Sequence, residues 1–200
     1  SVARTALKNA LPLQGSTFVR TLSTYAADYL LAWFLSPAAS GAYRAASRVA
    51  VTGADVFLQP LRPMTWSVIA QHERQGDRRA MRKVFLEHLR MLTFFAWPVL
   101  ICVSVFSGRI FGAMAKADWS TASPVLCVLA LARMPAMMDF FLDPVMVCTG
   151  RAAIQFRVRT VFTMVVLLGI LLTAKYGPLA VGIWQLSAST ALAGLSMTLV

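Results

Sequence analysis

The chain is rich in apolar residues and poor in charge, which excludes an ordinary soluble domain. Hydrophobic residues make up 58% of its 200 residues and charged residues 14%, with a mean hydropathy of +0.66; such values are typical of a protein with several membrane spans. The net charge of +11 does not indicate nucleic-acid binding, because the basic residues lie between apolar runs, as they do in membrane proteins.

We predict an all-α fold. Residues 1–200 have room for about six crossings of roughly 20 residues each, and we expect them to form a single polytopic transmembrane lobe. The chain starts at Ser1 and stops at Val200 within an apolar run, so we expect it to be a piece of a longer protein.

The first predicted crossing, at about 16–36, carries a polar edge. Arg20, Thr24 and Asp28 lie four residues apart and therefore share one helix face. Threonines in membrane spans often bond back to their own helix, but that explanation does not cover Asp28. A second row has the same spacing: Thr17, Thr21 and Tyr25.

The next apolar stretch, residues 41–71, carries what we call the polar stripe. Its members recur at steps of three and four, within an arc of roughly 80° on a helix; they are Arg44, Arg48, Thr52, Asp55, Gln59 and Arg62. A charge facing hydrocarbon costs on the order of 3 kcal/mol. We therefore expect the stripe to face water, protein or ligand, and we interpret it as one wall of a cationic cavity.

A basic amphipathic helix lying on the membrane surface is the alternative for this stretch. Asp55 and Gln59 disfavour it, because they lie in the middle of the stripe, where anionic headgroups would repel the carboxylate. Pro60 and Pro63 also suit a spanning helix, in which neighbouring helices or cavity water satisfy the freed carbonyls.

The following segments alternate between basic and apolar. Residues 71–90 are predicted to form a solvated hydrophilic loop that contacts lipid headgroups as a secondary role. A third crossing follows at about 91–107, and residues 108–120 are predicted to lie at the opposite interface.

The fourth predicted crossing, at about 121–147, contains Arg133, Asp139 and Asp143. The two aspartates share a face, whereas Arg133 points away from them and is expected to pair with another helix. Acid–base catalysis is disfavoured, because no nucleophile or metal-ligand set accompanies the carboxylates. Ion or proton coupling, or salt bridges to Arg133, Arg62 or Arg20, fits them better.

A second basic loop is predicted at 150–160, before a fifth crossing at about 161–174. That crossing is expected to begin near Phe156, with Arg157 and Arg159 reaching to the interface. A KYGP turn then leads into a sixth crossing from Leu179. Its small residues should allow close helix packing; they are Ser187, Ser189, Thr190, Ala193 and Gly194.

The basic residues predict the orientation. Eleven of the 19 fall in the N-terminal segment and in the 71–90 and 150–160 loops, whereas the opposite side receives Arg109, Lys116 and Lys175. By the positive-inside rule, the start of the chain and both loops lie in the cytoplasm.

Several motifs resemble the second half of polysaccharide transporters, which are lipid-linked oligosaccharide flippases of the multidrug, oligosaccharidyl-lipid and polysaccharide exporter superfamily. They are GAYRAASRV at 41–49, QPLRPMTWSVIAQ at 59–71, KADWSTASPVLCVLALAR at 116–133 and YGPLAVGIWQ at 176–185. The resemblance implies two six-helix lobes around a central cavity with alternating access, of which this chain supplies the second. It also implies a bacterial inner-membrane protein that moves an undecaprenyl pyrophosphate-linked sugar unit for O-antigen, capsule or exopolysaccharide assembly.

Such a cargo suggests roles for the polar residues. Guanidinium groups of Arg44, Arg48 and Arg62, faced by Arg20, could hold the phosphates. Gln59 and Tyr25 could bond sugar hydroxyls. The remaining charged residues could balance the charge of the cavity or couple transport to an ion; they are Asp28, Asp55, Asp139, Asp143 and Arg133.

Three alternatives remain. A cation-coupled multidrug exporter of the same superfamily would favour an acidic, aromatic cavity. A membrane-embedded polysaccharide-assembly enzyme would need large extracytoplasmic loops and a catalytic set, and a purely structural subunit would leave the charged faces unexplained. We expect no enzyme activity, no cofactor and no metal. The expected partners are the bilayer, the lipid-linked oligosaccharide and polysaccharide polymerase or assembly proteins, without nucleic acid.

Overall fold

The protein is an all-helical bundle over the residues that the computed structural model describes, which are 14–15, 18–19, 21, 29–34, 36–114, 121–140 and 142–199. Residues 29–34 are helical and are labelled α1. The later helices are α2 (Pro37–Arg74), α3 (Arg78–Val105), α4 (Ser107–Met114), α5 (Ala122–Phe140), α6 (Leu142–Cys148), α7 (Ala152–Thr173) and α8 (Pro178–Leu199). None of the described residues is in a strand, which confirms the predicted fold class.

Four described stretches are long and apolar enough to cross a membrane: Arg79–Val105, Ala122–Cys148, Ala152–Tyr176 and Pro178–Leu195. They correspond to the third to sixth predicted crossings. Helix α2, which contains the second predicted crossing at 41–71, is not among them. Polar and charged side chains recur along its 38 residues, so the expectation that this stretch is apolar enough to cross is wrong, although a helix of that length extends for roughly 57 Å. The first predicted crossing lies largely outside the described residues, so the total of six stays a prediction.

The prediction of a hydrophilic loop at 71–90 is wrong. Helix α2 continues to Arg74, and three residues turn the chain into α3. Gly76 has φ +70°, which glycine adopts without strain, and the Asp77 carboxylate accepts the Ala80 N–H at 2.9 Å and caps α3. The buried residues of α3 recur at helical spacing: Met81, Phe85, Leu89, Leu92 and Ala96.

The prediction of a loop at 150–160 is also wrong, because α7 begins at Ala152. Its basic residues occupy the first turns of a helix that has an apolar remainder. The KYGP turn is confirmed. A short 3-10 turn, Ala174–Tyr176, is followed by Gly177 at φ +101°, a backbone conformation that favours glycine.

Helix α5 is central to the bundle, because it packs against α2, α3, α4 and α8. One core forms where small α2 residues such as Ala46 and Ala50 meet Leu126 and Leu129 of α5. A second core joins the later part of α2 to α3, around Ile69 and Phe85. The small α2 side chains let the helices approach closely. Helix α2 packs into both cores through one apolar face, and the residues of the polar stripe lie on the rest of its surface.

The small residues of α8 divide between two environments. The Ser189 hydroxyl donates to the Ala132 carbonyl of α5 at 3.1 Å, and Ala193 is buried. In contrast, Ser187, Thr190 and Gly194 are exposed. Only part of the predicted small-residue set therefore lies at the interface between α5 and α8.

Candidate functional site

The polar stripe lies along one face of α2, because this helix continues through Pro60 and Pro63. Four of its members are exposed and the other two, Asp55 and Arg62, are half-buried. The exposed members are Arg44, Arg48, Thr52 and Gln59. The stripe therefore lies on the surface of the described bundle, next to the inward face of α2.

Three predicted site residues belong to the first crossing. Arg20, Tyr25 and Asp28 lie outside the described residues. Whether they face the polar stripe stays a prediction.

Arg133 is placed on α5, half-buried within an apolar span. It interacts electrostatically with Tyr43 and Asp55, both on α2. Arg133 therefore interacts with a different helix, but the described residues include no ion pair of Arg133 within 4 Å, so the predicted pairing stays a prediction. Arg133 also gives Asp55 a basic neighbour behind the polar stripe, so the stripe's one carboxylate is partly balanced from the protein interior.

Arg133 also lines a pocket of about 190 Å³ between α5, α7 and α8. Two further polar side chains line it, Gln185 and Ser189. The other lining residues are apolar: Leu129, Ala132, Ala136, Phe162 and Val166. A mostly apolar cavity with a few convergent polar groups is the usual form of a small-molecule site.

Asp143 has a different partner from those predicted. Its carboxylate pairs with Arg159 of α7 at 3.3 Å, where the side chains are 15% and 18% exposed respectively. The Gln155 amide donates to the other carboxylate oxygen. The expectation that Arg159 reaches out to the interface is therefore wrong, whereas Arg157, two residues earlier, is exposed.

The cluster of Asp143, Gln155 and Arg159 links α6, the short helix that follows α5, to the first turns of α7. Helix α6 begins one residue before Asp143, and Pro144, which lacks an N–H, follows it. Asp139 lies on α5, and its side chain is not among those that the structure describes. Asp143 of α6 is therefore bound by two side chains of α7, the Arg159 guanidinium and the Gln155 amide, and these contacts hold the two helices together.

A family comparison identifies polysaccharide biosynthesis as the context of this chain. The family model described as "Polysaccharide biosynthesis protein" matches residues 1–124, which is more than half of the chain. The protein belongs to the polysaccharide biosynthesis protein family. No curated protein and no solved structure matches it.

Membership of the polysaccharide biosynthesis family confirms the family resemblance of the sequence, whereas the assignment of this chain to the second half of a transporter stays a prediction. The matched residues include all of α2 with the polar stripe, as well as α3 and α4. Together with the four apolar spans, this makes the chain a membrane protein of polysaccharide biosynthesis or transport. Arg133 and the pocket lie beyond the matched range, so their roles depend on the geometry alone.

Sequence reasoning found Arg133 but missed the pocket around it. Gln185 was visible as a lone amide within an apolar run, which is itself a signal in a membrane span. Ser189 was assigned only to helix packing. The side chains of Phe162 and Val166 gave no signal, because an apolar residue in an apolar span can face lipid, core or cavity equally well.

Proposed function

We propose that this protein is part of a flippase that moves a polyprenyl pyrophosphate-linked oligosaccharide across the bacterial inner membrane for surface polysaccharide synthesis. The product would be O-antigen, capsule or exopolysaccharide. The support is the family, the apolar spans and the polar stripe. The start of the chain would face the cytoplasm, as the distribution of basic residues predicts.

The polar stripe carries this proposal. Three arginines, an amide and a threonine hydroxyl follow one another along a single helix face that is not used for the described cores. A face of this kind cannot be turned to hydrocarbon without a cost of about 3 kcal/mol per charge. It would instead border a wet pathway completed by the rest of the transporter.

The chemistry of the cargo matches the stripe. A lipid diphosphate carries closely spaced negative charges, and guanidinium groups bind such oxygens with two parallel hydrogen bonds. Arg44 and Arg48 are one helical turn apart, so both could contact one diphosphate. Gln59 and Thr52 could bond sugar hydroxyls, and the Asp55 carboxylate would weaken the positive field of the stripe enough for release.

Transport needs no catalytic group in this chain, and we propose that it is not an enzyme. The partners would be the bilayer, the anionic lipid-linked oligosaccharide and the polymerase or assembly proteins that receive it.

Charge reversal on the stripe tests the proposal. The full-length protein would be reconstituted in proteoliposomes with a fluorescent polyprenyl diphosphate oligosaccharide, and the rate of its appearance in the opposite leaflet measured. Charge-assisted hydrogen bonds contribute about 1.5–3 kcal/mol each, so the double variant Arg44→Glu/Arg48→Glu should flip the lipid at least about tenfold more slowly.

Arg82→Glu is the matched control, because Arg82 is exposed on α3, away from the stripe. Its flipping rate should equal that of the unmodified protein. Equal rates for the stripe variant and the control, at equal amounts of folded protein, would exclude the proposed role.

A further inference from the structure

The pocket at Arg133 lies in the middle part of a candidate membrane span. Arg133 is 11 residues after the start of the span Ala122–Cys148, which covers α5 and α6, so it lies roughly 16 Å from the start of α5. A guanidinium in the middle of such a span is far from both ends, where water and headgroups could reach it. It is stable there only if water, an opposite charge or hydrogen-bond acceptors surround it.

The residues around Arg133 only partly satisfy it. Tyr43 and Asp55 of α2 interact with it electrostatically, but within the described parts of the chain Arg133 and Asp55 do not form an ion pair at 4 Å or less. The Ser189 hydroxyl donates to backbone carbonyls, those of Ala132 and Leu186. The guanidinium donors are therefore not held in an ion pair by the described residues and are available to a further acceptor in the pocket that Arg133 lines.

The pocket has the size and the lining for such an acceptor. Its volume of about 190 Å³ is far above the roughly 10–15 Å³ that a single water molecule requires in such a cavity, and is enough for a phosphate or carboxylate group. Arg133 and the Gln185 amide supply donors. Phe162 and Val166 supply apolar walls that would suit methylene groups next to the anionic head.

We propose that the pocket between α5, α7 and α8 is an anion-binding site for a phosphate or carboxylate group, held by Arg133 and Gln185. It is separate from the polar stripe, because the stripe lies on α2 and the pocket has no lining residue from that helix. Occupancy would supply the missing negative charge at Arg133 and would join the three helices α5, α7 and α8 at the centre of the span.

The anion could come from two sources, a free anion or the headgroup of an amphiphile. Binding to the full-length protein in nanodiscs of neutral phosphatidylcholine would be measured with radiolabelled inorganic phosphate in one arm and radiolabelled dodecanoate in the other. Saturable binding in the first arm alone identifies a free anion, and tighter binding in the second identifies an amphiphile. The absence of saturable binding in both arms overturns the proposal.

Substitutions then locate the binding. Arg133→Gln should lower the affinity for the probe by about tenfold or more, because a charge-assisted pair of hydrogen bonds is lost. Arg133→Lys should lower the affinity less. Arg82→Gln, exposed on α3 and outside both the pocket and the polar stripe, should leave affinity unchanged. The pocket is tested by probe binding to the Arg133 variants and the stripe by the flipping rate of Arg44→Glu/Arg48→Glu, so this site and the proposed transport function fail separately.

Two variants that keep the Arg133 charge guard against a folding defect in Arg133→Gln. Gln185→Leu removes the amide donor, and Ala136→Leu places extra methyl groups in the cavity that Ala136 lines. Both should weaken probe binding. If probe affinity is the same in these two variants and in the unmodified protein, the anion does not bind in this pocket.

Discussion

Alanine at position 169 is expected to lower the free energy of unfolding by about 2–3 kcal/mol, the upper part of the usual range for overpacking. A Cβ atom on Gly169 of α7 would occupy the space of the Trp184 indole of α8. The indole cannot simply move away, because its N–H donates to the Val166 carbonyl at 3.2 Å. The measurement is an unfolding titration in mixed dodecyl maltoside and SDS micelles.

Gly194→Ala is the control for helix propensity, because a Cβ atom there meets nothing within 4 Å. It should be neutral or slightly stabilising. In a Gly169→Ala background, Trp184→Leu should recover part of the loss, since the smaller side chain leaves room for the methyl group. If Gly169→Ala unfolds like Gly194→Ala, α7 and α8 do not approach each other as closely as the structure indicates.

Removing the Arg159 guanidinium is expected to cost about 3 kcal/mol of stability, because breaking a largely buried ion pair leaves its carboxylate without this partner. Asp143 would keep the Gln155 amide, which cannot replace a full positive charge. The variant is Arg159→Gln, and the same unfolding titration measures the loss. Arg159→Lys should lose less, because it keeps the charge but not the guanidinium geometry.

Arg157→Gln is the matched control on the same helix, since Arg157 is exposed and exposed charges contribute at most about 1 kcal/mol. The double variant Asp143→Asn/Arg159→Gln should be more stable than the sum of its single variants predicts, because each removes the same interaction. Strictly additive losses would show that the pair does not couple α6 to α7.

The helices could be predicted from the sequence more reliably than the turns between them. Apolar runs fixed the spans at α3, α5, α7 and α8, and glycine with proline fixed the turn before α8. Both basic segments are helical where the sequence predicts loops, because a run of charged residues indicates contact with solvent but not the backbone conformation. In fact a helix keeps its register through charged residues when a buried residue recurs every turn, as Phe85 and Leu89 do in α3.

The candidate site was predictable only where one helix contains it. The polar stripe depends on spacing within α2 and needs no tertiary information. Pairing between helices depends on how they pack, so neither the Arg159 partner of Asp143 nor the Gln185 side of the Arg133 pocket followed from the sequence. Isolated polar residues in apolar spans, however, identified one member of each cluster in advance.

The central claim, that the polar stripe borders a water-filled pathway rather than lipid, is tested most directly by thiol accessibility. Gln59→Cys on the stripe and Val56→Cys beside it would be compared in full-length protein whose native cysteines are replaced by serine; both Gln59 and Val56 are exposed in the described bundle. A charged, membrane-impermeant thiol reagent reacts only where water reaches the sulfur. We predict rapid labelling at position 59, slowed by the lipid-linked oligosaccharide, and little labelling at position 56. Equal resistance at both positions would place the stripe against hydrocarbon and contradict the account.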